Sequence, residues 1–242
     1  MFFSSLLSNL QNQAEKNFYE LGVITNNINS ANTPGYKTER FISFEDTLTE
    51  EAKKSKQRYM EPGTLNITKN PDDVSIEGKG FFVMKDKEGE LALTRNLTLG
   101  VNKEGYLTSG KNLVFPKVKV SNKFIGLEIT EKGIIKGKVD DGSKIKIGEL
   151  QVVNYPAANK LEYDGFLFRP SEEAGKPERV CLGETSQAKV RQGTLESSNV
   201  DAPLEFTKFN MATQKLRTIS QLTQLLNSVQ RTYIQNLSSS IG

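Results

Sequence analysis

Two segments of this sequence carry residue types that bind phosphates. Gly105-Tyr106-Leu107-Thr108-Ser109-Gly110-Lys111 satisfies the first seven positions of a Walker A loop. The eighth position is Asn112, where the pattern needs a hydroxyl to hold magnesium. A phosphate loop must also open a helix, so that the amides of its first turn face the anion. Here Asn112-Leu113-Val114-Phe115-Pro116 follows, a strand pattern closed by proline. Gly78-Lys79-Gly80 is half a dinucleotide fingerprint, and it too runs into a strand pattern, Phe81-Phe82-Val83. Both segments read as glycine turns between strands.

Acid–base chemistry fares no better. Asp72-Asp73 and Asp140-Asp141 could pair as general acid and base, but Pro71 and Gly142 beside them mark turns, where aspartate bonds its own backbone. The sequence holds no histidine and no tryptophan, which removes the commonest general base and transition-metal ligand. A single cysteine, Cys181, cannot form an internal disulfide or a thiolate cage, and is expected to be a small buried hydrophobe. No catalytic, cofactor-binding or metal-binding residues are assigned, and no cofactor is expected.

The elements that would position any chemistry belong to two kinds. From Phe3 to Ile28 the chain lacks proline and has one glycine, Gly22. Apolar residues at Phe3, Leu7, Leu10, Ala14, Leu21, Ile24 and Ile28 follow alternating steps of four and three, broken only by Asn17. That is a heptad seam on a helix. It ends in an asparagine-rich segment, and Pro34-Gly35 suits the centre of a type II turn with positive φ at Gly35. After Ala202-Pro203, a second proline-free stretch places Phe209, Ala212, Leu216, Ile219, Leu222, Leu226, Val229 and Tyr233 at similar steps. One face of each helix can pair within the chain while another is left for a neighbour.

The middle, about Gly63 to Gln192, is punctuated by glycines and shifts to period two, as in Val118-Lys119-Val120 and Ile145-Lys146-Ile147. Phe81-Phe82-Val83 and Leu150-Gln151-Val152-Val153 read as strands buried on both faces. The fold class is therefore α+β: terminal heptad helices pairing as a coiled-coil layer, and a central antiparallel β-rich domain. Residues 1–45 and 200–242 make a discontinuous helical assembly domain, 46–62 a connector and 63–199 the β-rich domain. The charged run Glu50 to Arg58 is expected to be solvated.

The 242 residues are long enough for a real core, and 36% apolar with 25% charged is polar for a globular chain without implying disorder. A net charge of +3 argues for neither nucleic acid nor a membrane surface. No apolar stretch approaches the roughly 18–20 residues of a spanning helix, and with Lys16 as the first basic residue no Sec-type signal is expected.

Asn26-Asn27-Ile28-Asn29-Ser30-Ala31-Asn32-Thr33-Pro34-Gly35-Tyr36-Lys37 closely resembles the N-terminal signature of bacterial flagellar rod and hook proteins. Gly193-Thr194-Leu195-Glu196-Ser197-Ser198-Asn199-Val200-Asp201 resembles the segment leading into that family's C-terminal helix. Asp73 to Phe82, Leu93-Thr94-Arg95 and Asn102 to Leu107 are similar to its β domain, in the right order over nearly the whole chain. The family's glutamine–arginine–aromatic motif falls about fifteen residues after Ser198-Asn199-Val200, where Gln214-Lys215-Leu216 has the spacing, since a shift would change the helix face presented. Gln230-Arg231-Thr232-Tyr233 has better identity but lies farther downstream.

The resemblance implies a structural subunit, not an enzyme, that polymerises helically in the basal-body rod. It implies as partners further copies of itself, other rod and hook axial proteins, and the flagellar type III export apparatus, with no nucleic acid and no direct membrane insertion. Export is implied without cleavage of a signal peptide, to a rod within the periplasm. The implied assembly residues are the seven apolar residues of the first seam with Asn26, Asn27, Asn32, Thr33, Pro34, Gly35 and Tyr36. On the C-terminal side they are Ser198, Asn199, Val200, Phe209, Gln214, Leu216, Ile219, Leu222, Leu226, Val229 and Tyr233. A short connector and Pro62-Gly63-Thr64-Leu65 favour a proximal rod member, with a distal member as alternative. From other classes, a coiled-coil adaptor and a β-domain enzyme with helical arms remain as alternatives.

Overall fold

The computed structural model describes residues 2–42, 55–165, 167–183 and 188–239. The chain opens with α1 (Phe2–Asn29). β1 (Glu39–Ile42) and β2 (Ser55–Arg58) pair in a two-stranded ribbon. Next come β3 (Leu65–Ile67), β4 (Asp73–Gly78), β5 (Phe81–Lys85), β6 (Leu91–Thr94), β7 (Asn96–Val101), β8 (Leu107–Ser109) and β9 (Asn112–Val114). β10 (Gly126–Ile129), β11 (Ile134–Lys138), β12 (Lys144–Glu149) and β13 (Val152–Asn154) follow. The short strands β14 (Glu162–Tyr163), β15 (Phe168–Arg169) and β16 (Glu178–Arg179) precede β17 (Ala188–Gln192) and β18 (Thr194–Glu196). The last element is α2 (Ala202–Ser239).

The contacts divide the chain into two compact units. A helical unit comprises Met1–Ala31, Glu39–Gln57 and Val200–Gly242, and a β unit comprises Asn32–Thr38 and Arg58–Asn199. This differs from the division read off the sequence: residues 32–38 fold with the β region, because Gly35, Tyr36, Lys37 and Thr38 are buried there.

In the β unit the main sheet runs β14-β15-β6-β5-β9-β8-β7-β4-β17, with β13 added to β5 and β16 to β13. Its pairings are antiparallel, as are those of the separate β10-β11-β12 sheet and the β3-β18 pair. The continuous apolar run of β5 has a physical reason: Phe82 and Met84 enter one core cluster with Ile76, Leu97 and Ile135, while Phe81 and Val83 enter another with Leu93, Tyr155 and Phe168.

The phosphate-loop lookalike is a hairpin. Thr108 faces Leu113 and Ser109 faces Asn112, with a turn at Gly110 in place of a helix start. Gly78 and Gly80 both have positive φ between β4 and β5, and a Cβ on Gly80 would lie 2.7 Å from Val152 Cγ1. Asp141 Oδ1 accepts from the Ser143 amide, a local turn bond. Cys181 is exposed, contrary to the buried position expected of it. Its neighbours Val180 and Leu182 take the inward positions against the core, so the alternation turns the thiol outward. The charged run also departs from expectation at its end. Glu50 to Lys54 lie outside the described residues, but Ser55–Arg58 form a strand and Arg58 is buried. The Arg58 guanidinium donates to the Leu161 carbonyl at 2.8 Å and stacks over Tyr163 and Phe168, which a reading of charge alone cannot foresee.

In the helical unit α1 and α2, 28 and 38 residues long, flank their own contacts in antiparallel order. Asn27 meets Glu205, Asn17 meets Ala212, and the rings of Phe3 and Tyr233 lie 6.4 Å apart, so one index falls as the other rises. The start of α2 is set by Asp201, whose side chain accepts from the Leu204 amide at 3.0 Å as an N-cap. No described helix is long and apolar enough to cross a membrane.

Candidate assembly site

The signature segment Asn32–Thr38 is a clasp inside the β unit. Pro34-Gly35 forms the turn expected of it: the Tyr36 amide donates to the Thr33 carbonyl at 3.2 Å, and Gly35 has φ +77°. A Cβ at Gly35 would approach Asn96 Nδ2 to 3.1 Å and Arg95 Cβ to 3.4 Å, so the turn is both conformationally and sterically glycine-specific.

The turn delivers Lys37 to a buried carboxylate, Glu196, at the end of β18. Lys37 is 1% exposed, Glu196 0% and Arg95 4%. Glu196 Oε1 accepts from Lys37 Nζ and from the Gly63 amide at 3.0 Å, and Oε2 accepts from Arg95 Nε at 2.7 Å. Lys37 also donates to the Glu61 carbonyl, and Arg95 to the carbonyls of Ile76, Gly78 and Gly80. Burial pushes the Lys37 ammonium below the ordinary lysine range, while Glu196 beside it pulls the other way. Two buried cations on one buried carboxylate are tolerable only with this degree of hydrogen bonding.

Asn199 closes the clasp. Its Oδ1 accepts from the Thr38 amide at 2.7 Å, and its Nδ2 donates to the carbonyls of Tyr59 and Glu61. The Gly35 amide donates to the Glu196 carbonyl at 2.8 Å, and Asn96 bonds both backbone groups of Glu196. Thus residues 32–38 and the end of the β unit before α2 are one structure. Tyr36 is buried edge-on to Tyr163. Asn32 and Pro34 are exposed, and Thr33, Ser198 and Asn199 are half-buried.

The helical unit holds the rest. Phe3, Leu7, Leu10, Ala14, Leu21 and Ile28 are half-buried and Ile24 is buried. Asn17, the polar break in the apolar series, is 1% exposed and lies in step with the seam. Asn26 is exposed, whereas Asn27 is buried and bonds both backbone groups of Glu39 and the Glu205 carboxylate.

On α2 the C-terminal residues separate into two stripes. Ala212, Leu216, Ile219 and Leu226 are buried or half-buried against α1. Phe209, Leu222, Val229 and Tyr233 are 37%, 44%, 45% and 56% exposed, and Gln214 is exposed as well. Leu204, Met211, Leu222, Leu225 and Val229, spaced by helical steps, form an exposed outer stripe roughly a quarter-turn from the inner one at about 100° per residue. Val200 is half-buried before the helix starts.

Glu196, Arg95 and Lys37 lie within the segments that carry the family resemblance, but their local sequence does not mark them as a site. Their signal was a lone acid and two bases inside segments otherwise rich in small and apolar residues. Asn17 and Glu205 were missed because polar residues in a helix read as solvated.

Comparison with known proteins fits this geometry. Residues 75–137 match the family model of the flagellar hook protein FlgE/F/G D1 domain. A flagellar basal-body rod protein FlgG from Caulobacter vibrioides is 27% identical over 237 residues, covering 84% of this chain and 90% of that protein. The flagellar basal-body rod protein FlgF of Buchnera aphidicola subsp. Schizaphis graminum is 29% identical over 205 residues, 78% of this chain and 80% of its own length. The FlgF of Caulobacter vibrioides is 25% identical across 90% of this chain and 91% of its own. The chain thus resembles flagellar basal-body rod proteins along most of its length, and none of these relatives is named as an enzyme.

Proposed function

We propose that this chain is a structural subunit of the bacterial flagellar basal-body rod, polymerising helically through its terminal helices to help form a hollow drive shaft. The observation that carries this is the outer apolar stripe of α2, exposed while the inner stripe is already used within the chain. A repeated heterologous contact of that stripe, with rotation and rise, builds an open helical assembly. The resemblance to rod proteins supplies the identity of that assembly.

In this reading the helical unit acts as a coiled-coil assembly domain and the β unit, which takes in residues 32–38 and 58–62, as an outer layer. The partners are further copies of the chain and other rod and hook proteins. The chain reaches a rod in the periplasm through the type III export apparatus without losing its N-terminus. It catalyses nothing.

Within the rod, the short connector and Pro62-Gly63-Thr64-Leu65 favour a proximal, FlgF-type position. A distal, FlgG-type position is the second reading, and relatives named FlgG are more numerous and more strongly similar to this chain than those named FlgF. Deletion of the gene in a motile host, followed by electron microscopy of its basal bodies, tests both readings. A rod that stops within its proximal segment supports the proximal position, and one that lacks only its distal segment the distal. A complete rod with normal motility refutes the function.

A further inference from the structure

The apolar seams of α1 and α2 are poor at fixing their own alignment. Steps of three and four repeat along both helices, so sliding one past the other by a turn exchanges one leucine or isoleucine contact for another. Two polar links do not survive such a slide. Asn17 is 1% exposed, and its Nδ2 donates to the Ala212 carbonyl at 2.8 Å, where the small alanine side chain admits the amide. Its Oδ1 is buried and has no hydrogen-bond partner among the described residues. One turn along, Leu216 would face the amide, and both its polar atoms would be buried unpaired. Farther along α1, Asn27 Nδ2 donates to Glu205 Oε2 at 3.0 Å, with Glu205 2% exposed.

We propose that the Asn17–Ala212 and Asn27–Glu205 links together set the register of the terminal helices, at a cost in helix-pair stability. The two lie about 15 Å apart along α1, ten residues at 1.5 Å each. Each excludes a slide by itself, so they act redundantly. The orphaned Asn17 Oδ1 is the mark of a residue kept for alignment: an apolar side chain there would pack better and specify less. Because α2 carries the outer stripe, register decides where that stripe sits along the pair. The inference concerns the single chain and stands whether or not the chain enters a rod.

The test uses the full-length chain with Cys181→Ser and spin labels at exposed Gln13 and Arg217, read by pulsed dipolar spectroscopy. With both links intact, one narrow distance is expected. Asn17→Leu alone should keep that distance and raise the helical melting transition. Asn17→Leu with Glu205→Leu, which leaves the Asn27–Glu39 bonds in place, should give two or more populations about 5 Å apart, one helical turn. Asn17→Ala with Glu205→Leu repeats the experiment without added bulk. A single unchanged distance in both double variants would overturn the proposal, as would a broad distribution in the parent chain.

Discussion

In the β unit, the fully buried Glu196 receives Lys37, Gly63 and Arg95 on its two carboxylate oxygens. In the helical unit, Asn17 is buried nearly as deeply, yet its Oδ1 has no partner among the described residues, and Leu225 and Tyr233 on α2 are more than half exposed. The first unit meets the hydrogen-bonding needs of this buried cluster within the chain, although Ile67 and Ile125 on its surface are 78% and 69% exposed. The second leaves a buried amide oxygen unpaired among the described residues and aligns its exposed apolar residues along one face of a long helix. A network closed on itself makes a stable scaffold, whereas an uncovered stripe on a long helix is a surface made for another molecule. The contrast assigns stability to one unit and association to the other.

Removing the carboxylate at the centre of the clasp should have the largest effect. Glu196→Gln leaves Lys37 and Arg95 buried with no anion, and should destabilise the β unit by about 3–5 kcal/mol. Denaturant melts of the full chain measure this, and a loss below about 1 kcal/mol would dissolve the contrast. Gly63→Ala comes next. A Cβ there would stand 2.0 Å from the Ser197 carbonyl oxygen, a rigid backbone atom, and the loss should be about 1–3 kcal/mol. The same melts check it, with Gly126→Ala as a control for unoccupied space.

The smallest effect lies on the surface of the β unit. A hydrogen bond from Arg169 holds the Asp86 carboxyl below the usual aspartate range. A depressed folded value means stability present above the unfolded aspartate value and lost as pH falls through about 4 and below. Arg169→Gln should therefore flatten the fall in melting temperature between about pH 5 and pH 3, leaving neutral-pH melting little changed. An unaltered acid slope would remove Asp86 from the account.

The helices were legible because a seam needs only residue spacing, and α1 ends within a residue of where the asparagine-rich segment predicts. The Gly35 turn was legible for the same local reason, since Pro-Gly encodes it. The clasp was not. Lys37 and Glu196 are 159 positions apart, and nothing in their local sequence says that they meet. Arg58 was misread because a guanidinium in a charged run looks solvated until aromatic rings such as Tyr163 are brought to it. The two stripes of α2 were merged because Leu222 and Ile219 fit one periodic pattern, and only the position of α1 separates inner from outer.

The division of labour between the units is tested most directly on the outer stripe. Leu225→Glu with Val229→Glu places two carboxylates where α2 is 59% and 45% exposed, away from the inner stripe. The doubly substituted chain, expressed in place of the native one, is assayed for recovery in purified basal bodies and for the melting of its β unit in solution. The account predicts at least about a tenfold loss of incorporation, the equivalent of 1.4 kcal/mol in association, with β-unit melting unchanged. Normal incorporation with intact motility would contradict it.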